Sequence, residues 1–278
     1  MVSFIDCHLS LRRCSPFNGG KFEGWGTSFC WWPNRIGYLD ELSEQAAKLF
    51  FDPKEGLGLN IIRYNIGGGD DPTHHHITRT DSMVPGYAIN PSHDANGYHW
   101  SYDWNADQNQ RNVLMKVAEC YGKDLIVEGF SNSPPYFMTN SGCSSGSVNA
   151  GENNLREDAY GAFASYLADV AQHFSKEWGI HFQSMTAMNE PDTEYWHALS
   201  DKQEGCHFDP GESQSVMIIA LREALDERGL NDILISGTDE TGIDCQINSI
   251  NSLSEVARET IARIDTHSYL EGDNEGLR

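Results

Sequence analysis

The run Met185-Thr186-Ala187-Met188-Asn189-Glu190-Pro191 is a strand-length, apolar-rich segment that closes on an amide, a carboxylic acid and a proline. Short apolar runs bounded by turn residues fit strands buried on both faces, the kind found in parallel sheets. Parallel neighbours cannot be joined by tight turns and need crossover helices, so the segments on either side of this run decide the fold.

Working outward, strands are predicted over residues 22–29, 59–66, 124–130, 182–188, 233–236 and 264–267. Helical periodicity fills the gaps at 40–51, 106–121, 155–178, 213–228 and 252–263, with Gly122, Gly179 and Gly229 placed just past three of the ends. Within the third helix, Phe163, Leu167, Val170 and Phe174 recur at steps of three or four and form the stripe expected to lie on the sheet. This alternation predicts an α/β fold, a (β/α)8 TIM barrel of which only about six strands are present. A closed barrel needs eight, and the chain ends at Arg278, shortly after the sixth. The expectation is that the natural protein continues, or that a partner covers the open sheet edges. Residues 1–18, with Phe4, Cys7 and Leu9 as inward candidates, read as a strand outside the barrel, and residues 19–278 as the barrel domain. Residues 70–103, rich in Pro, Gly, His and Tyr and without a clear period, read as a long loop on the functional face.

With 41 acidic against 19 basic residues, the formal charge of −22 disfavours nucleic acid and anionic membrane surfaces and favours neutral substrates. No run approaches the ~20 apolar residues of a membrane span. Residues 1–20 lack a basic segment followed by an apolar one, so the chain reads as unsecreted as given, or secreted if a leader has been lost. The seven cysteines are scattered without a Cys-x-x-Cys pair and read as reduced thiols; Cys7–Cys14 and Cys143–Cys206 are the pairings left open.

Glu190 is the first candidate for chemistry. A carboxylic acid at the carboxyl end of a barrel strand, in an apolar cleft that favours its protonated form, can deliver a proton to a glycosidic oxygen, while Asn189 beside it binds a sugar hydroxyl. The tripeptide is also readable as a turn with a solvent-facing Glu. Arg63, inside the apolar run Ile61-Ile62-Arg63-Tyr64-Asn65-Ile66, needs a carboxylate partner, either a catalytic one or a structural one. Asp70 follows Gly67-Gly68-Gly69 and either binds sugar hydroxyls or caps a turn. His267 and Tyr269, after the sixth strand, share the rim with Glu190 or pack in the core. His74-His75-His76 is given no metal, because adjacent residues on an extended loop point in alternating directions.

Several of these motifs occur together in one known group. Phe22-Glu23-Gly24-Trp25-Gly26-Thr27-Ser28, the Arg63 strand with its glycine turn, Ser131-Asn132-Ser133-Pro134-Pro135, Met188-Asn189-Glu190-Pro191 and Thr266-His267-Ser268-Tyr269 are similar, in this order, to glycoside hydrolase family 30. Cys30-Trp31-Trp32 and Gln203-Glu204-Gly205-Cys206 resemble its endo-β-1,6-galactanase branch most. The resemblance implies a barrel with an attached β-sandwich, to which residues 1–18 would belong. It implies a retaining mechanism with Glu190 as acid/base, no cofactor, and an oligo- or polysaccharide substrate such as the β-1,6-linked side chains of arabinogalactan. By motif position, Asn189, Arg63, Asp70, His267 and Tyr269 would contact the sugar or the nucleophile. The family's nucleophilic Glu lies after a seventh strand, which this chain ends too early to contain; Glu240, Glu271 and Glu275 are poor substitutes. Ser131-Asn132 also stands where some relatives carry a Trp.

A second reading is a carbohydrate-binding remnant that uses an aromatic rim without turnover. A third, a metal-dependent barrel hydrolase built on the histidine triplet, predicts loss of activity on chelation. Within the enzyme class, β-1,6-glucanase, xylanase and glucosylceramidase activities would use the same acid with different rim residues.

Overall fold

The computed structural model describes residues 22–270; the proposed sandwich segment at residues 1–18, the Cys7–Cys14 pairing, Glu271 and Glu275 lie outside them. Six strands form one parallel sheet: β1 (Gly26–Ser28), β2 (Ile61–Asn65), β5 (Ile126–Phe130), β6 (Ser184–Thr186), β7 (Leu234–Gly242) and β8 (Ile261–Leu270), hydrogen-bonded in that order. Helices α1 (Trp32–Ile36), α2 (Asp40–Phe51), α3 (Gln108–Tyr121), α4 (Tyr160–Glu177), α5 (Glu212–Glu227), α6 (Ile243–Ser252) and α7 (Glu255–Thr260) occupy the connections. The sheet is the expected partial (β/α)8 barrel, and its parallel strands bring every carboxyl end to one rim.

The alternation of β2 shows how the strands divide their side chains. Ile62 and Tyr64 are fully buried on the helix side, where the Tyr64 ring meets Phe174 of α4 at 5.1 Å and Phe182 at 6.2 Å. Arg63, between them, points the other way and sits over the Phe130 ring. The predicted stripe of α4 is buried throughout, and the helix ends before Gly179 at φ +68°, a left-handed position that favours glycine.

Four expectations change. Residues 88–102, assigned to the loop, form an antiparallel hairpin of β3 (Ala88–Asp94) and β4 (Gly97–Tyr102), turned at Ala95-Asn96 and followed by Gly97 at φ +107°. Asn96-Gly97, with the glycine at the exit of the turn, is a hairpin signal that the polar faces of both strands obscured. The fifth barrel strand runs to Gly242 rather than 236, because Asp239 on the inner side and Thr238 and Glu240 on the helix side are all buried with polar partners. The helix predicted over 252–263 is instead α6, ending at Ser252, and a short α7 that Ser254 caps by accepting the Ala257 amide at 3.2 Å. Strand β8 then starts at Ile261, paired with Ile235, three residues earlier than expected. Cys30, Cys120, Cys143, Cys206 and Cys245 are all free thiols, which removes the Cys143–Cys206 pairing.

Candidate active site

The inward-facing residues of the strands converge at the rim on a cleft of about 900 Å³. Arg63 from β2, Asn189 and Glu190 from the turn after β6, and His267 and Tyr269 from β8 all line it. Five of the six predicted site residues are therefore brought together. Asp70 is not among the residues lining this cleft; it lies beside a separate pocket and contacts His74, His76 and Ser144. The glycines before it do not open the backbone to a ligand: a Cβ on Gly68 would stand 2.5 Å from the carbonyl oxygens of Ser133 and Pro134.

Arg63 has the partners its position demands. It ion-pairs with Asp239 of β7, donates to Asn189 Oδ1 at 3.0 Å, and its Nε lies 3.4 Å from Glu128 of β5, the residue beside it in register. Asp239 is almost fully buried. Burial would push its carboxyl up, but the charge of Arg63 and the contact with His267 outweigh that and hold it below the usual carboxylate range. Burial, with the nearby Asp265 carboxyl adding to it, pushes Glu128 up against the opposing pull of Arg63. His267 contacts both acids, with Nδ1 2.7 Å from Glu190 and Nε2 3.2 Å from Asp239. Burial favours its neutral ring, yet these two contacts and the Asp239 charge prevail and raise it from 6.5 to about 9, so it is a cation at neutral pH.

Glu190 is held from several sides. Its backbone takes φ +48°, a left-handed conformation unfavourable for Glu, and is pinned there: its amide donates to the Asp239 carbonyl at 2.8 Å, while Trp196 Nε1 and Thr193 Oγ1 donate to its carbonyl at 3.0 and 2.9 Å. The Tyr195 hydroxyl donates to Oε2. Oε1 is buried and, despite the nearby His267 Nδ1, has no donor aligned for a hydrogen bond. A carboxyl at the cleft wall with one oxygen fixed and the other without an aligned donor can exchange a proton with a bound ligand.

Reading the sequence missed Asp239, Tyr195, Trp196 and Trp31 as members of this site. Asp239 was the most recoverable, since it follows the fifth predicted strand directly, but ending that strand at 236 made it a turn residue. Trp31 lines the cleft with a buried, unpartnered indole nitrogen, whereas its neighbour Trp32 packs on Phe29 and Phe50. Trp196 closes one wall, and Gly205 makes that possible: a Cβ there would fall 2.0 Å from the indole. Glu240, set aside earlier, is engaged with Ser249 and Gln214 in the core rather than in the cleft.

Comparison with known proteins agrees with this geometry. The model of O-Glycosyl hydrolase family 30 matches residues 21–252. The chain is 37% identical over 274 residues to an endo-beta-1,6-galactanase of Hypocrea rufa, covering 92% of this chain and 54% of that protein. It is 26% identical over 350 residues to an exo-beta-1,6-galactobiohydrolase of Bifidobacterium longum subsp. longum, covering 92% of this chain and 22% of that protein. Its fold superposes with TM-score 0.68 on the catalytic domain of GH30 xylanase C from Talaromyces cellulolyticus, at 21% identity, over 90% of this chain and 54% of that one. The chain thus spans about half the length, or less, of the curated relatives it matches.

Proposed function

The chain belongs to O-glycosyl hydrolase family 30, and on that premise we propose that the enzyme it represents cleaves β-1,6-linked galactan, as in arabinogalactan side chains, endo-wise and with retention, using Glu190 as acid/base. The observation that carries the assignment is the Glu190 carboxyl at the wall of a cleft lined by aromatic and amide side chains, with Tyr195 donating to Oε2 and no donor aligned on the buried Oε1. A glycosidic oxygen placed there would receive the proton as the bond to the leaving sugar breaks.

Retention needs a second carboxylate about 5–5.5 Å from the first. Asp239 is poorly suited, because one oxygen pairs with Arg63 and the other faces His267. We assign the nucleophile to the strand that follows β8 in the complete barrel, where Arg63 and His267 would hold it ionised as they hold Asp239. Identity with the Hypocrea rufa galactanase, together with Trp31 in the cleft wall and the Gly205–Trp196 contact, favours β-1,6-galactan over the sibling substrates.

The test is product analysis on de-arabinosylated arabinogalactan, comparing this chain with a version extended to eight strands. A ladder of β-1,6-galacto-oligosaccharides from the extended form alone is the expected result. Galactobiose as the sole product would replace the endo mode with an exo one. Products from neither form would overturn the substrate, and turnover by the 278-residue chain would place the nucleophile at Asp239.

A further inference from the structure

Outside the cleft, the loop after β2 folds onto a second polar cluster. Asp70, His74 and His76 come from that loop and Cys143 from the segment after β5, and one donor atom from each lies within 4.8 Å of the others. The alternation that argues against three adjacent histidines sharing an ion is what selects these two: His74 and His76 face one side and His75 stays out. Asp70 and Cys143, which sequence spacing did not connect to them, complete the set through the fold. Cys143 is 1% exposed and the side chains of Asp70, His74 and His76 are 17%, 26% and 10% exposed.

Three of the four donors are also oriented from behind by backbone. His76 Nδ1 lies 2.5 Å from the Ser200 carbonyl, which can only accept, so Nδ1 carries the proton. Its Nε2 lone pair then points at Asp70 Oδ2, 2.5 Å away, and at Cys143 Sγ, 3.4 Å away. A lone pair facing a carboxylate is repulsive unless a cation joins them, either a proton on Nε2 that makes an ion pair with Asp70 or a metal ion that also takes up the Cys143 sulfur. Asp70 Oδ1 accepts the Ser144 amide at 3.0 Å, and Cys143 Sγ accepts the Leu199 amide at 3.3 Å, as a thiolate would. Ligands held by such outer contacts, with an imidazole fixed in one tautomer by a carbonyl, are the usual surroundings of a bound transition metal.

We propose that Asp70, His74, His76 and Cys143 bind a zinc-class divalent ion in tetrahedral geometry. Two imidazole nitrogens, one thiolate and one carboxylate suit Zn²⁺, whereas calcium and magnesium require oxygen ligands. The role is structural. None of the four lines the Glu190 cleft, but Ser200 and His197, which do, are tied to the cluster through His76 Nδ1 and through Ser145, whose hydroxyl donates to the His197 carbonyl at 2.8 Å. The ion would pin the β2–β3 loop to one wall of the cleft, with Asp70 serving the metal and not the sugar.

The test titrates the chelator-stripped 278-residue protein with Co²⁺, a spectroscopic stand-in, and then displaces it with Zn²⁺. One equivalent should bind, giving intense visible bands of tetrahedral Co²⁺ and a near-ultraviolet thiolate charge-transfer band. Cys143→Ser should remove the latter band, His76→Ala should weaken binding by more than about 100-fold, beyond the loss of an outer-shell partner, and His75→Ala should change neither. Circular dichroism checks each fold, and Asp70→Asn replaces any variant that fails it, with the same loss of affinity expected. No bound Co²⁺, a pale six-coordinate spectrum, or a thiolate band that survives Cys143→Ser would overturn the proposal.

Discussion

The two faces of the sheet are made by the same strands and obey opposite rules. On the helix side, Ile62, Tyr64, Val127, Phe174 and Phe182 are buried among one another, and their places are set by volume. On the inner side the neighbouring positions carry Arg63, Glu128, Asp239, Asp265 and His267, where Arg63 and His267 face Asp239, while burial pushes the Glu128 and Asp265 carboxyls up toward their neutral forms. One face supplies stability and the other consumes part of it to hold acids and bases in fixed geometry. The difference teaches that a charged residue in the middle of an apolar strand marks the inside of this barrel.

The largest effect is expected on the apolar face. Phe174→Ala removes a ring that touches Tyr64, Tyr87, Trp178 and Phe182, and should cost about 4 kcal/mol in urea unfolding. A loss under about 1 kcal/mol would show that this side is loosely packed. Arg63→Met comes next. It leaves Asp239 and Glu128 buried without their cation, for an expected loss of about 3 kcal/mol, and a stabilised variant would mean that the charged face is not held together by this residue.

The smallest effect is a dependence on pH. Because folding raises His267 to about 9, the folded state binds its proton more tightly than the unfolded chain does. Its contribution is complete below about 6.5 and disappears as pH rises through about 9. Stability should fall by about 1–2 kcal/mol across that window after allowance for solvent screening. His267→Gln should flatten the profile there; an unchanged slope would assign the titration to another group.

How much of this was legible in the sequence follows the same division. The α4 stripe and the helix-ending glycines could be read because the apolar face obeys simple periodicity. Arg63, Asn189, Glu190, His267 and Tyr269 could be found because each stands at, or breaks, an apolar strand. Asp239 was the nearest miss, since Gly237-Thr238-Asp239-Glu240 looks like a turn until the segment's polar partners on β2, β8, α5 and α6 are known. Asp70 was placed with the sugar from the three glycines before it and from motif position, with a turn cap as the alternative, and the loop carries it away from the cleft toward His74 and His76. Cys143 had no local signal at all, since its neighbours in the cluster are far away in sequence.

The most direct test of the central claim uses Glu190→Ala in the eight-stranded form, assayed on β-1,6-galactan and on an aryl β-galactoside whose phenol leaves without protonation. If Glu190 is the acid/base, galactan turnover should fall by about 10²–10⁴-fold, the aryl substrate should lose far less in its first step, and added azide should restore turnover by forming the β-glycosyl azide. Equal losses on both substrates, or full activity on galactan, would contradict the assignment.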